Sequence, residues 1–95
     1  MRISQHERAM IKGVLSKFDP HGKVYLFGSR VDDSRRGGDI DLYFETQRPL
    51  TLRDELRARY QLELACDVRV DLLVKQAITP SEPIHTIATT QGVML

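Results

Sequence analysis

Two carboxylates one residue apart, Asp39 and Asp41, open an apolar run that continues through Leu42 and Phe44. In a strand, side chains at i and i+2 leave the same face, so both acids would project side by side. Ile40, Leu42 and Phe44 would then form the other face, a set suited to a core. Held about 4 Å apart, two ionised carboxylates repel by roughly 4 kcal/mol at an effective dielectric near 20. One acid keeping a proton, a basic side chain between them, or a divalent cation would each relieve this. The cation suits an all-oxygen pair, because Mg²⁺ takes one or two carboxylates and completes its octahedron with water and substrate phosphates. The plainer alternative is a pair of aspartates that merely ends a loop.

Upstream, the apolar run Val24 to Phe27 stops at Gly28-Ser29. Gly28 lets the backbone turn and come close to a ligand. Ser29 can cap a following helical turn, whose open N–H groups would face a phosphate. A polar loop with Arg30, Asp32, Asp33, Arg35, Arg36 and Gly37-Gly38 leads on to Asp39. Arg35 and Arg36 read as solvated loop charges.

The elements that must carry these residues follow from periodicity. Ser4 to Phe18 reads as a helix opened by a Ser4/Glu7 capping box, with Ala9, Met10, Val14, Leu15 and Phe18 as its apolar stripe. Asp19-Pro20-His21-Gly22 stops it. Val24 to Phe27 and Asp39 to Glu45 are strands. Thr51 caps a second helix to about Cys66, with Leu52, Leu56, Tyr60 and Leu64 as the apolar stripe and Glu55, Arg57, Arg59 and Glu63 mostly outward. Asp67 to Val74 is a third strand, in which Val68, Val70, Leu72 and Val74 alternate with polar positions that include Asp71. Ser81 caps a last helix through Pro83, with Ile84, Ile87 and Ala88 inward and Gly92 at its end. Val93 to Leu95 leaves open an edge strand. The order helix, strand, strand, helix, strand, helix describes an α/β (α+β) sandwich: a small mixed sheet with helices on one face. The opposite face would present Asp39, Asp41 and Asp71. Tyr43 shares it as a half-buried strand residue, His6, His21 and His85 read as surface or satisfied residues, and Tyr25 and Cys66 as packing.

Ninety-five residues suit one domain, 1–95, with a modest core. A formal net charge of +1 argues against a nucleic-acid binder driven by phosphate neutralisation. The single cysteine forms no internal disulfide. No apolar run approaches a membrane span and no signal-peptide core precedes the first helix, so the expected location is the cytoplasm.

Gly28-Ser29, a loop, then Asp39-Ile40-Asp41-Leu42 resembles the signature of the DNA polymerase β-like nucleotidyltransferases, in particular the minimal nucleotidyltransferases. The element order also fits, so the resemblance spans nearly the whole chain. It implies a third carboxylate on a later strand, for which Asp71 is the candidate and Asp67 and Arg69 share its face. Asp67 reads as a turn residue, and Arg69 as an alternative counter-ion for the acidic pair. Gly38 departs from the serine that many members place before Asp-x-Asp. The implied reaction transfers AMP from ATP to a hydroxyl. Asp39, Asp41 and Asp71 would hold two Mg²⁺ ions (Mn²⁺ substituting), and Gly28, Ser29 and Arg30 the triphosphate. The family resembled commonly works beside a small helical HEPN-type toxin, which makes the chain an expected antitoxin within a hetero-oligomer. It would act by AMP transfer to that partner, or alternatively as a binding module that occludes it.

Overall fold

The computed structural model describes residues 3–28, 40–76, 79 and 82–95. Its elements are α1 (Gln5–Phe18), β1 (Lys23–Phe27), β2 (Ile40–Glu45), α2 (Leu52–Cys66), β3 (Val70–Lys75), α3 (Pro83–Gln91) and β4 (Val93–Met94). The four strands form one mixed sheet in the order β3-β2-β1-β4. β1 pairs antiparallel with both β2 and β4, and β2 pairs parallel with β3. The edge strand left open by the sequence is therefore formed, with Tyr25 opposite Met94 and Leu26 opposite Val93.

Local chemistry sets the helix starts. The Ser4 hydroxyl accepts the Glu7 N–H at 3.0 Å while Glu7 accepts the Ser4 N–H at 2.9 Å. Thr51 and Asp54 repeat the reciprocal arrangement at 3.0 Å in each direction. Both boxes satisfy donors that a helix cannot satisfy itself.

Packing then selects faces. Ile40, Leu42 and Phe44 of β2, Val24 and Leu26 of β1 and Val70 of β3 lie buried against Ile11 and Leu15 of α1 and Ala58 and Leu62 of α2. Cys66 packs at the margin of this core, as expected. Within α1 the stripe is centred on Ile11, absent from the expected set, whereas Ala9 is exposed. In α2 the expected stripe is turned outward: Leu52, Leu56, Tyr60 and Leu64 are between 54% and 73% exposed. The small Ala58 gives α2 its close contact with the sheet, and a leucine row on the far side cannot compete with that approach.

The third helix departs from expectation in three ways. Its N-cap is Glu82, Ser81 lying outside the described residues. His85 and Ala88 are buried, while Ile84 and Ile87 are 37% and 43% exposed. The helices also do not all share one face. α1 and α2 cover the core side, whereas α3 meets β1 and β2 from the other. There the His85 ring lies 5.7 Å from Tyr43, whose ring lies 5.7 Å from Tyr25.

Asp19, at the C-cap of α1, ties the first helix to the end of β2. Its buried carboxylate accepts N–H groups of Gln47 at 2.8 Å, Arg48 at 3.1 Å and His21 at 3.0 Å. Burial alone would push the carboxyl up, but the three donors outweigh it and hold it below its ordinary value of 3.8. Among the described residues no helix is long and apolar enough to cross a membrane.

Removing the Asp19 carboxylate strands three donors, so Asp19→Ala should cost about 2–3 kcal/mol in urea unfolding at pH 7. The folded carboxyl is depressed, so its contribution is present above the ordinary carboxylate range and lost as pH falls through the lower folded value. Wild type should therefore lose its advantage over the variant in that acid window. A difference constant down to pH 2 would contradict a charged Asp19.

Candidate functional site

β2 carries Asp41 partly buried and β3 carries Asp71 exposed. The parallel register sets them directly opposite each other. Residues so paired leave the same face of adjacent strands, about 4.8 Å apart. β1 runs the other way, which brings Phe27 opposite Asp41 and ends the strand at Gly28 beside it. Gly28 has φ of +77°, a left-handed conformation that a side chain strains. A Cβ there would run into Asp41, meeting its Oδ2 and standing 3.0 Å from its Cγ. Three residues singled out by the sequence, Gly28, Asp41 and Asp71, thus meet at one end of the sheet. Asp39, Ser29 and Arg30 lie outside the described residues, as do Arg35 and Arg36.

The entrance of β3 is held by groups whose roles the sequence only partly disclosed. Asp67 is a turn residue as read, the left-handed C-cap of α2 at φ 54°. Arg69 is exposed and its carbonyl accepts the Ile40 N–H at 3.0 Å, so its backbone joins the two acidic strands. Glu63, expected to face outward, instead accepts the Val70 N–H at 2.9 Å. That bond fixes β3 one residue before Asp71.

Beyond Asp41, the same face closes. Tyr43 is only 1% exposed, more buried than expected, and its hydroxyl donates to Glu45 Oε2 at 3.1 Å. Burial, reinforced by the Glu45 carboxylate, pushes the phenol up to about 12. It is a neutral wall rather than an open platform for a base. His85, read as a surface or satisfied residue, is the latter and completes the wall. Its Nδ1 accepts the Glu82 N–H at 3.0 Å, which places the ring proton on Nε2. The available signal was Pro83: as first helical residue it sets His85 at the third position, where a side chain reaches back to the cap N–H.

Two carboxylates on neighbouring strands, Asp41 partly buried and Asp71 exposed, beside a glycine with no room for a side chain fit a hard divalent cation and the phosphates it would carry. Among the described residues no three His, Cys, Asp or Glu side chains converge as a metal cluster. The further oxygen donor expected from the sequence is Asp39.

Gly28→Ala tests the close approach. Backbone strain alone should cost about 1–2 kcal/mol, and the displaced Asp41 should lose its place beside Asp71. Thermal unfolding should register the loss, and a variant as stable as wild type would contradict the contact.

The profile of a nucleotidyltransferase domain matches residues 8–91. Among solved structures, a chain of the toxin–antitoxin MntA–HepT crystal structure is similar with a TM-score of 0.70 and 22% identity, over 96% of this chain and 70% of that one. A chain from the complex of a tri-AMPylated Shewanella oneidensis HEPN toxin with MNT antitoxin is similar with a TM-score of 0.66 and 25% identity, over 94% and 67%. No curated protein matches.

Proposed function

Because the chain belongs to the nucleotidyltransferase domain family, we propose that it transfers AMP from ATP to a hydroxyl of a HEPN-type toxin and acts as the antitoxin of that pair. The observation that carries this is the register of Asp41 with Asp71 beside Gly28. The tri-AMPylated toxin bound to a similar protein supports both the transferred group and the kind of acceptor.

Asp39, Asp41 and Asp71 would hold divalent cations, Mg²⁺ or Mn²⁺. When bound, these would stabilise the attacking and leaving oxygens of an in-line displacement at the α-phosphorus. Gly28 lets the Asp41 carboxylate come close to the backbone at the end of β1, and Gly28, Ser29 and the Arg30 guanidinium would hold the triphosphate there. Asp71, exposed at the rim, is accessible to a hydroxyl on another protein and would take its proton. The oxygen then joins the α-phosphorus and pyrophosphate leaves.

A second reading is favoured by the outward row on α2: the chain would neutralise its partner by occlusion, without transfer. Two measurements separate the readings. Mg²⁺ with ATP should raise the melting temperature of wild type by mass action. Asp41→Asn, compared with its own unliganded melting temperature, should lose that rise, and a retained rise would place the nucleotide elsewhere. Next, the HEPN-type toxin is co-expressed with wild type or with Asp39→Asn/Asp41→Asn and weighed intact. Added mass in multiples of AMP, and growth rescue, are expected with wild type only. Rescue by both with an unmodified toxin would replace transfer by occlusion.

A further inference from the structure

We propose that the outer face of α2 is a docking ridge for an amphipathic helix with acidic flanks on a partner protein, separate from the candidate transfer site. The proposal rests on the reading that this chain serves a protein partner, and it names the surface and the partner's chemistry. Leu52, Leu56, Tyr60 and Leu64 follow one another at intervals of four and lie between 54% and 73% exposed. Such a row spans about 18 Å of helix. Residues at i±4 form the ridge that fits the groove of another helix, which selects a helix as the occupant. The solvent face of a globular helix ordinarily carries polar residues instead.

Charge selects the occupant's flanks. A shallow, open apolar surface along Leu52, Leu56 and Tyr60 is edged by Arg53 and Arg57. Arg57 also lines a neighbouring cleft of about 360 Å³, where Lys17 and Arg48 stand over Phe18 and Leu50. Asp54 is the one acid lining that cleft, and its carboxylate already accepts the Thr51 N–H. Glu63 is likewise turned to the Val70 N–H. The flank of the ridge towards that cleft is therefore basic, Glu55 and Arg59 standing together on the opposite flank, and a carboxylate from a helix lying on it would reach the cleft between α1 and α2. A second copy fits less well. Antiparallel two-fold packing of the ridge on itself would bring the Arg57 side chains of both copies together, a like-charge juxtaposition.

The ridge also lies away from the acids. α2 packs with α1 on the core side of the sheet, whereas Asp41 and Asp71 leave the other side. An occupied ridge leaves Asp71 open.

The test uses the full chain without ATP. A displayed library of helical peptides, with leucine at three- and four-residue spacing and flanks randomised among Glu, Lys and Ser, is selected for binding. Glu-rich flanks should dominate. The best peptide should weaken by at least about tenfold on Leu56→Ser/Tyr60→Ser, the loss of two exposed anchors, and also on Arg53→Ser/Arg57→Ser. Unchanged thermal midpoints of both variants, expected for exposed positions, exclude unfolding as the cause. No enrichment, Lys-rich or neutral flanks, or binding indifferent to both variants would overturn the proposal. So would sedimentation with phosphatidylglycerol vesicles, or a dimer by light scattering, that requires Leu56 and Tyr60 while no peptide is enriched. Glu enrichment without AMP transfer to a toxin would sink the transferase alone. Transfer without enrichment would sink the ridge alone.

Discussion

Parallel pairing of β2 with β3 is the constraint on which the rest of this fold depends. It sets Asp41 beside Asp71, and no antiparallel hairpin of the same two strands would give that match in the same direction. Parallel neighbours also demand a long crossover, which α2 supplies, and the crossover must cover the sheet face it passes over. That coverage is the core: Ala58 and Leu62 come down on Ile40, Leu42, Phe44 and Val70. β1 then takes the free side of β2 in the opposite direction, so its end, Gly28, arrives at the beginning of β2. One pairing choice thus assembles the acids, the glycine and the apolar layer beneath them.

The acidic face is divided into an open and a closed half. Near Asp41 and Asp71 it is exposed or partly so. Two residues further along β2 it is sealed by Tyr43, Tyr25 and His85 under α3. The seal matters because a neutral phenol hydrogen-bonded to Glu45 adds no charge to the acids nearby. α3 therefore limits how far along the sheet a ligand could extend.

What was legible in the sequence was local. The Ser4/Glu7 box, the cap at Thr51 and the glycine at Gly28 depend on neighbours within a few residues, and each appears where expected, whereas the third strand begins at Val70 rather than Asp67 and Tyr43 breaks the alternation of β2 by being buried. The candidate acids Asp41 and Asp71 were legible for the same reason: a two-residue period fixes their face. What failed was the choice of partner. A row at four-residue spacing on α2 announces a stripe but not the direction in which it points, and Ala58 carries too little hydropathy to outvote four large residues. That His85 is satisfied was one of two readings, and the choice needs the turn set by Pro83. Asp19 ends α1 as read, but its second role as a clamp was hidden because two of its donors, Gln47 and Arg48, lie far along the chain.

That long connection gives Asp19 an influence at a distance. A strand whose faces differ this sharply carries its meaning in its register: slipped by one residue, β2 would send Asp41 into the apolar layer and Leu42 out onto the acidic face. Register needs an anchor, and the far end of β2 has several. Gln47 and Arg48 are held by Asp19, the Thr46 N–H by Lys75 and the Leu50 N–H by Gln76. The nearest of these clamps, at Thr46, lies about 17 Å of extended chain from Asp41, and those of Asp19 lie one and two residues further. In a genetic screen for lost activity, Asp19 and Gln76 would therefore score beside the acids themselves while touching no ligand, because they set the frame in which β2 is read.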